Sequence, residues 1–276
     1  MLYQNLINNL LKRFLIKILP KSFVNLIHKF SPNSIKFYGP FPDWEEAKAK
    51  SDGYDKDNIL QKVLEVTMKV KSGLIPGERD SVELEFEDPP KHIISICNEI
   101  LGKNNNKLNI LDVGGSLGST YFASIKYLNE PSKISWVILE QKNFVSAGNK
   151  YISDSVISFI TDIEEYLSET EPDLVIFGSV LQYLEDPYEI LEKVTQNISP
   201  EIIIDRTPFS DDSIERVYVQ SVPKKIYKAS YPIRSLDLNS IIPKGYKINS
   251  KFIDGMGTIR LKKTSFTWKG YHLIKQ

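Results

Sequence analysis

"NILDVGGSLGSTYF", residues 109–122, decides the fold. Its apolar opening reads as a buried strand, Gly114, Gly115 and Gly118 as a tight turn, and the remainder as the start of a helix. In an open α/β sheet such a turn lies at the carboxyl end of a strand, where ligands bind, and its glycines let the backbone approach with no Cβ in the way. The same alternation repeats outward from it. Strands are expected over 108–113, 134–139, 156–160, 173–178 and 201–205, with helices over 119–129, 143–149, 162–168 and 186–196 between them. Further strands fit 246–253 and either 257–263 or 266–274, and residues 206–236 are a Tyr- and Pro-rich insertion. The pattern predicts a mostly parallel sheet with helices on both faces.

Three cofactor classes can be tested on the turn. A P-loop needs Gly-Lys-Ser/Thr at its end, and the turn has no lysine. A dinucleotide GxGxxG starting at Gly114 needs glycines where Ser116 and Ser119 stand. The spacing that fits is D-x-G-x-x-x-G, met by Asp112, Gly114 and Gly118, the S-adenosylmethionine (SAM) loop of class I methyltransferases with Ser116 at its middle glycine. A serine there needs only an allowed backbone angle. The next strand ends on Glu140, followed by Gln141, 22 residues beyond Gly118 (140 − 118), where a carboxylate accepts hydrogen bonds from ribose hydroxyls. Asp162 follows the third strand, either near the adenine amino group or as an ordinary helix cap. After the fourth strand, "DLVIFGSVLQYLEDP" brings Gly178 and Ser179 to the cofactor edge, with Gln182 and Tyr183 on the substrate side.

Ahead of this core, "SPNSIKFYGPFP" (31–42) is rich in turn formers and reads as a linker. "DWEEAKAKSDGYD" predicts a helix capped by Asp43, with Glu46 at the capping-box position. Helical apolar spacing over 59–70 stops at Gly73, and a further helix is expected from about Pro90 to Gly102. In the first 30 residues, Tyr3, Leu6, Ile7, Leu10, Leu11, Phe14, Leu15 and Ile18 form the stripe of an amphipathic helix, with Phe23, Ile27 and Phe30 on a shorter second one. The organisation is therefore a basic amphipathic arm (1–30), a helical N-terminal or lid segment (31–107) and a SAM-binding core (108–276).

The chain of 276 residues balances 35 basic against 35 acidic side chains, but unevenly. Lys12, Arg13, Lys17, Lys21, Lys29 and Lys36 all precede the first acid, Asp43; without those six, 29 basic residues (35 less 6) face 35 acidic ones. A mildly acidic body excludes a nucleic-acid-coating surface. The arm has two readings: peripheral contact with anionic lipid on the inner face of the cell membrane, or packing on its own domain or on a second subunit as a homodimer. Cys97 is the single cysteine, which fits a cytoplasmic protein and leaves no disulfide framework. His28, His92 and His272 are scattered, and no metal site is expected.

The chain resembles a family of SAM-dependent methyltransferases associated with surface-polysaccharide gene clusters. The resemblance covers roughly 36–274 and rests on "FYGPFPDWEEA", "GYD", "ERDSV", "ILDVGGSLGSTYF", "DLVIFGSVLQYLEDP", "IIIDRTPF", "VQSVPKKIYKASYP" and "WKGYHLIK". It implies a class I, Rossmann-like fold and SAM as cofactor, with the serine-bearing loop as the family's own working version; it implies no acceptor. Methyl transfer requires an acceptor lone pair aligned with the methyl–sulfur bond and water kept out, and a base only where the acceptor must lose a proton. Asp205 or Tyr227 is a candidate to accept or relay a proton, Arg206 to pair with an acidic acceptor, and Gln220 to orient it. Tyr54, Arg79 and Asp80 are candidates for a lid, with Arg79 contacting substrate. The leading reading is a methyltransferase (a transferase of class EC 2.1.1) acting on a small molecule or a sugar or glycan precursor. A catalytically inactive binding or scaffold protein and a nucleotide-sugar or dinucleotide enzyme stand as alternatives.

Overall fold

A computed structural model describes residues 35–276 except 53–55, 80, 106, 197, 199 and 224–228. The amphipathic arm, Tyr54, Asp80 and Tyr227 lie outside the described residues. The segment before the core opens with β1 (Lys36–Phe41), then α1 (Trp44–Ala49), α2 (Lys56–Lys71), the short strands β2 (Glu78–Arg79) and β3 (Val82–Glu83), and α3 (Lys91–Lys103). Asp43 caps α1 as expected, its Oδ1 accepting from the Glu46 amide at 2.8 Å.

The core follows as β4 (Leu108–Val113), α4 (Ser119–Ser124), β5 (Ile134–Leu139), α5 (Lys142–Tyr151), β6 (Ile157–Ile160), α6 (Ile163–Glu169), β7 (Leu174–Gly178), α7 (Pro187–Thr195) and β8 (Glu201–Ser210). Next come β9 (Arg216–Val222), β10 (Ala229–Ser235), α8 (Leu238–Ile241), β11 (Tyr246–Arg260) and β12 (Ser265–Lys275). Seven strands form one sheet in the order β11-β12-β8-β7-β4-β5-β6. Pairing is parallel from β6 to β8, and β12 enters antiparallel between β8 and β11. This is the mostly parallel, Rossmann-like α/β sheet with helices on both faces that was expected from the sequence. The strand order reverses at β4, which places the turn after it at the switch point.

Both faces of the sheet are covered, which is why the strands read as continuous apolar runs. Neighbouring residues go to opposite sides. Ile110, Trp136, Ile138, Ile176 and Ile203 enter the core shared with α2, α3, α4 and α5. Leu111, Val137, Val175, Phe177, Ile202 and Ile204 enter the core shared with α6, α7 and α8.

The differences from expectation fall around the insertion. Residues read as a linker form β1, which pairs antiparallel with β9, and β9 pairs with β10; the insertion is thus part of a three-stranded sheet. One face of this small sheet packs Tyr218 and Ile233 against Phe266 and Trp268 of β12. The other packs Val217 and Val219 on Ala47, with Phe41 and Trp44 alongside. β8 does not stop at Asp205, its last partner across from β7, but runs on to Ser210 beside β12. Of the two expected edge strands, 266–274 is the one that forms, and the strand before it continues to Arg260. The helix expected over 119–129 closes at Ser124 and tightens into a 3₁₀ turn, Ile125–Tyr127.

One irregularity shapes the site. Ile204 pairs with Tyr271 and Thr207 with Lys269, so Asp205 and Arg206 together oppose Gly270 alone. This is a β-bulge, and Arg206 sits in it at φ +48°, a left-handed conformation rare for a residue with a Cβ.

Candidate active site

The turn after β4 is held from both sides. The Gly114 amide donates to the Leu139 carbonyl at 2.9 Å. Gly114 has φ +69°, and a Cβ on it would lie 2.4 Å from Val180 Cγ2, so both the angle and the space require glycine. Ser116 adopts the left-handed region at φ +56°, at a cost of roughly 1–2 kcal/mol, and the turn keeps its shape. Gly115 rests directly on the Asp112 carboxyl: a Cβ there would be 2.7 Å from Asp112 Cγ. Asp112 is fully buried. Its Oδ2 accepts from Trp136 Nε1 at 3.1 Å, and its Oδ1 has no hydrogen-bond partner. Burial pushes this carboxyl up to about 7, against the opposing pull of the Trp136 bond and the Arg206 charge. Asp112 therefore supports the turn from below and does not line the cavity above it.

That cavity has a volume of about 1050 Å³ and is lined by Gly114, Gly115, Ser116, Glu140, Gln141, Gly178 and Ser179. The sequence placed all of these at the cofactor, and the fold brings them to one wall; Gly118 turns the chain into α4 just behind them. Burial raises the Glu140 carboxyl, opposed by the backbone amides of Gln141 (2.7 Å to Oε2) and Ser116. Ser179, at φ +62°, donates its amide to the Asp205 carbonyl at 2.9 Å and accepts from Gln182 Nε2 at 2.8 Å. Gln182 is itself fully buried behind the wall, and its Oε1 lacks a hydrogen-bond partner. Asp162 is exposed and caps α6, accepting the Glu164 and Glu165 amides at 2.8 and 3.0 Å. Its neighbours Thr161 and Ile163 line the cavity instead.

A second lobe is built from the small sheet and β12. Tyr183 donates to Gln220 Oε1 at 3.3 Å, and Gln220 Nε2 donates to the Tyr231 hydroxyl at 3.3 Å. The two tyrosine rings meet edge to face at 5.2 Å. Trp268 completes this wall, its Nε1 buried without a hydrogen-bond partner. Asp205 and Arg206 line the cavity from the bulge. Burial alone would raise the Asp205 carboxyl, but His92 (Nε2 to Oδ1, 3.3 Å) and Arg206 (Nε to Oδ2, 3.6 Å) outweigh it and hold Asp205 below its ordinary value. His92 is in turn stacked on Phe252, with ring centroids 4.4 Å apart. The β2–β3 hairpin also lines the cavity, through Glu78, Arg79, Ser81 and Val82. Glu78 accepts from the Ser81 amide at 3.0 Å and from the Ser119 hydroxyl, and Arg79 lines the cavity while paired with Asp88 at 2.8 Å.

Ser81, Ser116, Ser179 and Arg206 are all left-handed non-glycine residues that line this cavity, a concentration of backbone strain of the kind found at functional sites. Tyr231, Trp268 and His92 carry no role in the sequence reading. Tyr231 and Trp268 lie inside quoted stretches, "KASYP" and "WKGYHLIK", but only the long-range pairing of β9, β10 and β12 brings them to the site. His92 has no local signal at all. Among the described residues, no group of three or more His, Cys, Asp or Glu side chains is placed to hold a metal, and no helix is long and apolar enough to cross a membrane.

No family model and no curated protein sequence matches the chain. Among solved structures it is similar to the N-terminal domain of EvdMO1 in the presence of SAH and D-fucose, at 13% identity, covering 81% of this chain and 97% of that one with a TM-score of 0.45. It is similar also to a S-adenosylmethionine-dependent methyltransferase from Clostridium acetobutylicum ATCC 824, at 16% identity over 68% of this chain and 93% of that one, TM-score 0.42. A third is the glycopeptide N-methyltransferase MtfA complexed with sinefungin, at 11% identity over 66% and 86%, TM-score 0.43.

Proposed function

We propose that the protein is a SAM-dependent methyltransferase that acts on a small molecule or a sugar or glycan precursor. The observation that carries this reading is the conjunction at the switch point: the Asp112-supported Gly114–Gly118 turn, with the Glu140 carboxylate at the tip of the adjacent strand, facing one cavity. The donor set suits the cofactor. Glu140 would accept hydrogen bonds from a ribose diol, and the Gly114–Ser116 backbone with Gly178 and Ser179 would border the bound cofactor. When bound, SAM supplies an electrophilic methyl group on a sulfonium centre.

The chain's own residues then have the tasks of orienting the acceptor and excluding water. Tyr183, Gln220 and Tyr231 offer a linked set of donors and acceptors to an acceptor's hydroxyl groups, over the apolar face of Trp268. Asp205, kept ionised by His92 and Arg206, accepts a hydrogen bond from the attacking hydroxyl or amine and orients its lone pair. With its proton affinity lowered by these two neighbours it is an orienting acceptor more than a strong base. The β2–β3 hairpin, which lines the cavity, would help to limit access of water. The single cysteine, buried and reduced, fits a cytoplasmic setting, and a place in polysaccharide biosynthesis rests on the sequence resemblance alone.

Calorimetric titration with S-adenosylhomocysteine (SAH), beside NAD and a sugar nucleotide, tests the reading. Saturable binding of SAH alone is expected, weakened about tenfold in Glu140→Gln through loss of a charge-assisted acceptor. Folded protein that ignores SAH would move the assignment to a binding or scaffold protein, and binding of NAD alone to a dinucleotide enzyme.

A further inference from the structure

Among the described residues, the two most exposed large apolar side chains are Leu74 and Phe86, at 76% and 73%. Both lie between α2 and α3, as does Val82, which is exposed and also lines the cavity. Tyr127, another exposed ring that lines the cavity, donates its hydroxyl to Glu87 of the same segment. Exposed apolar residues scattered singly are ordinary; several on one short segment mark a contact surface. The segment is also acidic. Residues 74–90, "LIPGERDSVELEFEDPP", hold six acids and one base, a balance of −5 (1 − 6). Lys69 and Lys126 pair with Glu83 and Glu87, and Arg79 with Asp88. With the two lysines counted in, three bases (1 + 2) still face six acids.

A surface that is apolar and negative suits a partner that is apolar and positive, and the chain carries one. Residues 1–34 hold Lys12, Arg13, Lys17, Lys21 and Lys29 and no acid, a charge of +5, beside the apolar stripe from Tyr3 to Ile18. They join the described fold at Ile35, which itself lines the cavity. At about 3.5 Å per residue, the chain between them keeps Phe30 within roughly 18 Å of Ile35. We propose that this arm docks on the 74–88 segment of its own chain, its apolar stripe covering Leu74, Val82 and Phe86 and its five cations facing the carboxylates. The inference does not rest on the cofactor reading, since it concerns what stands beside the cavity whichever ligand fills it. Charge decides between this occupant and lipid. An anionic bilayer attracts the arm but is repelled by the six acids, so lipid and the segment compete for the arm. A second copy offers the same acidic surface, but the short tether gives the arm's own segment the advantage of effective concentration.

Carbodiimide coupling, which joins a lysine amine to a carboxylate where the two touch, tests this on the full native chain, with the linked pairs read by mass spectrometry. Lys12, Lys17, Lys21 or Lys29 is expected to couple to acids within 78–88, in protein that stays monomeric. Leu74→Ser combined with Phe86→Ser keeps every charge and should cut that yield at least about fivefold, because the apolar half of the contact is lost. Both residues are exposed, so the fold is not at risk; coupling of Lys193 on α7 to Glu164 on α6, 3.0 Å apart, is the internal control. Arm couplings spread over acids elsewhere overturn the proposal, as does a yield unchanged in the double variant. Couplings between isotopically distinct copies overturn it in favour of a second subunit. An arm that couples to nothing overturns it as well, and flotation with vesicles of phosphatidylcholine and phosphatidylglycerol then reads whether lipid holds the arm instead.

Discussion

Gly114→Ala is expected to abolish SAH binding, by more than about 100-fold, and to cost the protein roughly 2–4 kcal/mol of stability. Two independent penalties combine. The added methyl group forces a residue with a Cβ to hold φ +69°, and it would sit 2.4 Å from Val180 Cγ2 and 2.8 Å from Val180 Cβ. The second contact cannot be relieved by rotating a flexible side chain, because Val180 is branched at the clashing atom. The turn must move, and the cavity floor moves with it. Adding Val180→Ala removes the nearer methyl but leaves the Cβ contact and the angle, so it should restore only part of the stability. Urea unfolding and calorimetry on the single and double variants check this. A folded Gly114→Ala protein with undiminished affinity would show that the turn is not the ligand's floor.

The second large effect concerns Asp112. Its folded carboxyl, pushed up to about 7, stands above its ordinary 3.8, so the native state binds the proton more tightly than the unfolded chain. Between those values stability therefore falls as pH rises, and it is level again above about 7. The favourable contribution is present at low pH and is lost on ionisation without solvent. For a fully buried group of this kind the swing is on the order of 2–4 kcal/mol. In Asp112→Asn the amide oxygen can still accept from Trp136, and nothing titrates. The stability difference between variant and wild type should therefore shift in the variant's favour from pH 4 to pH 8. Glu140, also raised, and Asp205, lowered, titrate in both proteins and drop out of the comparison. Denaturant curves at several pH values measure it. A difference that stays flat would mean that Oδ1 has a partner when the protein is in water.

The half of the site assigned to the nucleoside was legible because it is local. "LNILDV" and "ISWVIL" are apolar runs bounded by turns, and each is a strand over the residues expected, with Glu140 following β5 directly. The turn is written in the residues directly after β4, Gly114 to Gly118. The half assigned to the acceptor is not local. β1 looks like a linker because Gly39, Pro40 and Pro42 are turn formers, and its strand character comes from pairing Phe37 with Gln220 and Phe41 with Val217. β8 looked complete at Asp205 because the apolar run ends there; its continuation depends on β12, which no window around residue 205 contains. The bulge that turns Arg206 into the cavity was invisible for the same reason, since a register shift is a property of two strands. Asp162 shows the opposite limit: its two sequence readings were equally natural, and the hydrogen bonds to Glu164 and Glu165 choose the cap.

The pairing of β1 with β9 also has a consequence in time. The parallel strands from β4 to β8 follow one another along the chain and can assemble from near neighbours, whereas the small sheet must recruit a strand from the far side of that whole core. Closing so long a loop is slow and brings reward only after the core exists to receive it. The chain's three tryptophans divide between these events: Trp136 is in β5, while Trp44 and Trp268 flank the small sheet. In refolding, a variant retaining only Trp136 should reach its native fluorescence before one retaining only Trp44; simultaneous phases would show a single cooperative event. On this order of assembly a newly made chain forms the wall proposed for the nucleoside first and the wall proposed for the acceptor afterwards.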